Sequence, residues 1–120
     1  MRALVVDDSS AMRAVLRIIL KKQQFEVVEA RDGLDALQVL QHIDPVDLLL
    51  IVWNMPGMDG FELLQHIRGD AKYGPTKVVM VTTETALGEM SNALAAGADE
   101  YIMKPFTPDV VADKLRLVGL

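Results

Sequence analysis

A chain of 120 residues with 51% hydrophobic and 24% charged content suits one domain, residues 1–120, built around one core. Its net charge of −5 argues against an electrostatic grip on nucleic acid or on an anionic membrane, both of which need clustered Lys and Arg, and points to proteins or a cation as partners. Without cysteine there are no disulfides and no thiolate metal sites, and the opening run reaches Asp7 and Asp8 before any signal-peptide stretch could form, so a cytoplasmic protein is expected.

The chain alternates two periods. Ala3 to Val6 reads as a short strand, and Met12, Val15, Leu16, Ile19 and Leu20 then recur at the spacing of one helix face, with Arg13, Arg17 and Lys21 on the other. Phe25 to Val28 reads as a second strand. Asp32-Gly33 opens a helix that turns Ala36, Leu37, Leu40 and Ile43 inward, and Asp44-Pro45 closes it. Leu48 to Trp53 is a run of six apolar residues, too short to span a membrane and the right length for a strand buried on both faces. It breaks at once into Pro56-Gly57 and Asp59-Gly60.

Asp59 is expected to cap a third helix carrying Phe61, Leu64 and Ile67, closed by Gly69. Val78 to Val81 gives a fourth strand. Leu87, Met90, Ala93 and Leu94 mark a fourth helix, whose Ala95-Ala96-Gly97 end lets a neighbour approach closely. Tyr101 to Met103 is the fifth strand, and Thr107-Pro108 starts a fifth helix with Val110, Val111, Leu115 and Val118 on its apolar side. Strands alternating with helices need crossover connections, hence a doubly wound parallel sheet of the α/β class with helices on both faces.

Such a sheet binds ligands at the carboxyl ends of its strands. The first strand ends in Asp7-Asp8, the fourth in Thr82-Thr83 and the fifth in Lys104, so two carboxylates, a hydroxyl and an amine share one edge. Adjacent carboxylates repel, and a hard divalent cation such as Mg²⁺ relieves them; a hydroxyl and an amine opposite the cation suit a phosphoryl group. Taken singly, Asp7 and Asp8 could equally cap a helix, and Thr82 and Lys104 could be ordinary loop residues. His42 and His66 have no partners at ligand spacing, and the seven methionines read as pliant core filler.

Val5-Val6-Asp7-Asp8, Ala30-Arg31-Asp32-Gly33, Trp53-Asn54-Met55-Pro56-Gly57-Met58-Asp59-Gly60, Met80-Val81-Thr82, Ala96-Gly97-Ala98 and Lys104-Pro105-Phe106 occur in one order along nearly the whole chain. In this the sequence resembles the response-regulator receiver domains of two-component signalling, especially the stand-alone CheY-like kind from chemotaxis. The resemblance implies a flavodoxin-like sheet of strand order 2-1-3-4-5, an order for which CheY-like receivers are themselves a standard example. It further implies Asp8 as a direct Mg²⁺ ligand, Asp7 as a ligand through water and Asn54 as one through its backbone carbonyl. Thr82 and Lys104 would hold the phosphoryl group, Tyr101 would be the aromatic that changes exposure, and Lys104-Pro105 would be a cis peptide. The implied partners are a histidine kinase and a downstream protein target, contacted through the helix of Met90 with the fifth strand and helix, and the implied state is a monomer.

One position departs from that pattern. Receivers carry the phosphate-accepting aspartate where this chain has Val52, and a hydrocarbon cannot attack a phosphoryl group. The expectation is a phosphorylation-null receiver acting by protein–protein contact, with weakened Mg²⁺ binding because one anionic ligand is gone. Either a naturally degenerate receiver or one whose acceptor was replaced fits; the retained neighbours favour replacement. Two other readings stay open: a Mg²⁺-dependent phosphatase of haloacid-dehalogenase type with Asp7 as nucleophile, which lacks the second acid because Ser9 stands there, and the receiver portion of a DNA-binding regulator.

Overall fold

The apolar runs pair as one parallel sheet in the computed structural model, which describes residues 1–83 and 87–120, the side chain of Leu87 excepted. In chain order the elements are β1 (Arg2–Val6), α1 (Ser10–Lys22), β2 (Glu26–Ala30), α2 (Gly33–Gln41), β3 (Leu48–Val52) and α3 (Gly60–Arg68). A short 3-10 turn at Ala71–Tyr73 leads into β4 (Lys77–Thr83), α4 (Leu87–Ala95), β5 (Glu100–Lys104) and α5 (Pro108–Leu117). The strand order is β2-β1-β3-β4-β5, the doubly wound flavodoxin-like arrangement expected from the sequence.

β3 lies at the centre with all five of its residues buried. Because side chains alternate along a strand, the sheet divides its apolar residues between two layers. Leu4, Val6, Leu49, Ile51, Val78 and Met80 pack with Ala36 and Leu40 of α2, Leu63, Leu64 and Ile67 of α3, and Met90 and Ala93 of α4. Ala3, Val5, Leu48, Leu50, Val52, Val79, Val81 and Ile102 pack with Leu16, Ile19 and Leu20 of α1 and Val111 and Leu115 of α5. Each fully buried aliphatic side chain contributes about 1.5–3 kcal/mol over leaving it exposed.

Helix starts follow the sequence closely. Asp32, Asp59 and Thr107 each accept a hydrogen bond from the amide three residues on, at 2.8, 2.9 and 3.2 Å, and Pro108 opens α5. The cap of α1 is Ser9, whose hydroxyl accepts from the Met12 amide at 3.2 Å, so neither Asp7 nor Asp8 is used for capping. Each such cap contributes about 1 kcal/mol.

Several expected positions differ. β2 begins one residue later than expected and runs on to Ala30, with Phe25 buried at its entry. α2 stops at Gln41 with His42 as its C-cap, short of Asp44-Pro45. Val15, Leu94 and Val110 are exposed, because α1, α4 and α5 bury narrower stripes than the apolar spacing suggests. The place of the Leu87 side chain on α4 lies outside the described residues. Arg13 and Arg17, on the face opposite the apolar stripe, both turn to Glu29 of β2, at 3.2 and 2.6 Å.

The far end of α4 behaves as its small residues suggest. Gly97 has φ +113°, and a β-carbon there would come within 2.6 Å of Arg68 Cγ. Arg68 fills that space and donates to the carbonyls of Gly97, Tyr73 and Thr76 and to the Asp99 carboxylate, all at 2.8–2.9 Å.

Candidate functional site

Register brings the site together. Val6 pairs with Ile51, Val52 with Val81, and Thr83 with Lys104, so the carboxyl ends of β1, β3, β4 and β5 open on one edge. A cleft of about 120 Å³ there is lined by Asp7, Asp8, Val52, Asn54, Thr82 and Lys104, among others. All the sequence-expected site residues except Tyr101 therefore meet. Tyr101 lies three residues earlier on β5 and packs against the layer of α2, α3 and α4. Its ring sits 4.6 Å below Lys114 Nζ, and that ammonium also reaches Glu100 at 3.3 Å.

Asp7 is the most constrained member. It is only 1% exposed; its amide donates to the Ala30 carbonyl at 3.1 Å, and its Oδ1 accepts the Ser9 amide at 2.9 Å. The Arg13 guanidinium donates to its carbonyl at 2.6 Å. Oδ2 is buried with no hydrogen-bond partner among the described residues. Burial pushes the Asp7 carboxyl above its ordinary value of 3.8; the Ser9 amide and the Lys104 charge pull it back, and neighbouring Asp8 adds to the rise. A buried carboxylate with one uncommitted oxygen calls for a proton or a cation.

Mg²⁺ fits this donor set, which offers hard oxygens only: the Asp7 and Asp8 carboxylates and the Asn54 carbonyl in one cleft. Among the described residues no three His, Asp or Glu side chains gather to hold a metal. Val52 ends β3, the strand between those that lead to the two acids and to Thr82; it is 6% exposed, with its hydrocarbon in the layer of α1 and α5.

Thr82 is 3% exposed, and its hydroxyl donates to the Thr83 carbonyl at a long 3.4 Å. Lys104 makes no hydrogen bond or ion pair among the described residues that would divert its amine from the cleft, and the Lys104–Pro105 peptide is cis, as the resemblance implied. The loop after β3 is closed by the Gly60 amide donating to the Trp53 carbonyl at 2.8 Å, with Gly57 turned left-handed at φ +72°. Sequence reasoning missed Ser9 and Arg13 as supports of Asp7. The Ser9 cap could have been read from a serine just ahead of the helix; Arg13 carries no such signal, because its target is a backbone carbonyl.

A family model described as the response regulator receiver domain matches residues 3–116. The chain belongs to that family. This receiver is 43% identical over 117 residues to a chemotaxis protein CheY homolog of Campylobacter jejuni subsp. jejuni, covering 97% of this chain and 90% of the relative. It is 40% identical over 119 residues to chemotaxis protein CheY1 of Helicobacter pylori, covering 98% and 96%. Among solved structures it is similar to the chemotaxis response regulator CheY4 of Vibrio cholerae, at TM-score 0.89 and 34% identity over 98% and 97% of the two chains. The chain is thus a CheY-like receiver of two-component signalling, a class of signalling module that typically binds Mg²⁺ and works between histidine kinases and downstream targets. No helix among the described residues is long and apolar enough to cross a membrane.

Proposed function

We propose that this receiver, one unit over residues 1–120, acts through protein–protein contact in a chemotaxis-type pathway with its phosphorylation cycle blocked. The observation that carries this reading is Val52, a buried hydrocarbon in the cleft that also holds Asp7, Asp8, Asn54, Thr82 and Lys104. Forming an acyl phosphate needs a carboxylate oxygen to attack the donor's phosphorus, and position 52 has none.

The remaining residues keep their chemistry. Asp8 would hold Mg²⁺, with Asp7 and the Asn54 carbonyl as further oxygen donors, while Thr82 and Lys104 would offer a hydroxyl and an ammonium to phosphoryl oxygens. Mg²⁺, when bound, neutralises charge on those oxygens. Loss of the third carboxylate weakens the cation's hold. Tyr101 and the face of α4, β5 and α5 meet the downstream target, the histidine kinase approaches the cleft, and the protein works as a cytoplasmic monomer without nucleic acid.

Incubation with acetyl phosphate and Mg²⁺ followed by mass spectrometry tests the reading. No phosphate is expected on this chain, and stoichiometric base-labile phosphate is expected on Val52→Asp. Phosphate on the parent chain at this site would overturn the account. Turnover of a small phosphate ester would favour the phosphatase reading instead.

A further inference from the structure

Asp7 is held from two directions, and only one of them is local. The Ser9 amide, two residues on, fixes one carboxylate oxygen, as any helix start could. The other hold comes from α1: Arg13 Nη1 donates to the Asp7 carbonyl at 2.6 Å while its Nε donates to Glu29 Oε1 on β2 at 3.2 Å. Glu29 in turn takes Arg17 at 2.6 Å through its second oxygen. Arg13 is 19% exposed and Glu29 28%, so this is a partly desolvated arrangement rather than a loose surface pair.

The geometry uses the guanidinium as a fork. One prong points at the backbone turn that carries both acids, and the other is anchored on the neighbouring strand, which fixes the prong's direction. The Asp7 amide is already bonded to Ala30, the last residue of that same strand. Peptide units on both sides of the Asp7 α-carbon are therefore fastened, and the unpartnered Oδ2 is left with little freedom to swing away.

We propose that Arg13, anchored by Glu29, is a positioning residue for the divalent cation: it holds the Asp7–Asp8 turn in the shape that presents both carboxylates to the cleft. This rests on the cleft being a Mg²⁺ site, as proposed for the function. The arrangement has a distinctive consequence, because Arg13 is itself a cation beside a cation site. On Coulomb grounds alone its removal favours Mg²⁺. Positioning predicts the opposite, so the sign of the effect separates the two.

The test is calorimetric titration of Mg²⁺ into the parent chain, Arg13→Met and Arg13→Lys, well below each protein's Tm, with far-UV spectra to establish folding. Arg13→Met keeps the apolar stem and loses both hydrogen bonds. Its Mg²⁺ dissociation constant is expected to rise about ten-fold, the low end of what outer partners of metal ligands contribute. Arg13→Lys keeps the charge but cannot hold the Asp7 carbonyl and Glu29 together, and is expected to fall between. Unchanged or tighter binding by Arg13→Met overturns the proposal. Should that variant fail to fold, Arg13→Lys decides: parental affinity there overturns it equally. Absence of Mg²⁺ binding by the parent chain would instead sink the metal reading itself, and this proposal with it.

Discussion

Gly60 lies against the backbone of Val52: a β-carbon on Gly60 would stand 2.5 Å from the Val52 carbonyl oxygen and 2.9 Å from Trp53 Cα. The first residue of α3 and the last residue of β3 are thus in contact through bare backbone, with the loop between them closed by the Gly60–Trp53 hydrogen bond. The end of β3 that carries Val52 into the cleft is thus packed against a residue that has no side chain.

Gly60→Ala should therefore cost more than helix propensity returns. The obstruction is backbone, which cannot rotate aside, and overpacking of this kind costs about 1–3 kcal/mol. Thermal melting should show Tm lower by roughly 5–10 °C. A Tm equal to or above the parent would mean that β3 and α3 separate easily, against the geometry.

Asp7 makes stability depend on pH with a definite sign. Its carboxyl is raised by burial, so the folded protein holds this proton more tightly than the unfolded chain does. The resulting stabilisation is fully present below the ordinary value of 3.8 and is lost as pH rises through the folded value. At neutral pH without metal, Asp7 is a net cost, and Asp7→Asn should melt at a higher temperature than the parent. That advantage should shrink as pH falls toward the ordinary value. An advantage that grows on acidification would contradict the sign.

Arg68 joins α3, the turn at Ala71–Tyr73, the start of β4 and the α4–β5 connection through three backbone carbonyls and Asp99. Asp99 also accepts the Val78 amide at 2.8 Å. Arg68→Ala strands partly buried acceptors and leaves a gap against Gly97, for an expected loss of about 2–4 kcal/mol in urea unfolding. A loss below about 1 kcal/mol would show that water replaces the guanidinium without penalty.

Val52→Asp should lower stability without metal and enlarge the stabilisation that Mg²⁺ supplies. A third carboxylate beside Asp7 and Asp8 adds repulsion and removes Val52 from the layer of α1 and α5, so the metal-free variant should melt lower. Mg²⁺ should then stabilise it more than it stabilises the parent, because tighter binding to the folded state raises Tm by linkage. Melting both proteins across a Mg²⁺ series checks this. Equal Mg²⁺ shifts would mean that Asp7 and Asp8 alone set the affinity.

Features that depend on local period and on short-range hydrogen bonds can be read from the order of residues alone. The six-residue run from Leu48, the alternation of strands and helices, and the caps at Asp32, Asp59 and Thr107 are written in neighbouring residues, and they imply a parallel sheet with its ligands at the carboxyl edge. The motifs around Asp7, Val52, Thr82 and Lys104 pointed to one edge, and the structure brings these residues into one cleft there. Tertiary structure decided what depends on distant partners. Val15, Leu94 and Val110 have apolar spacing yet stay exposed, because the width of a buried helix stripe is set by the neighbour it meets. Arg13 bonds the Asp7 carbonyl and Glu29, and Arg68 ties four segments together, because both bind carbonyls and carboxylates that only folding brings within reach. A backbone carbonyl has the same chemistry at every residue, so no sequence pattern says which guanidinium will find it.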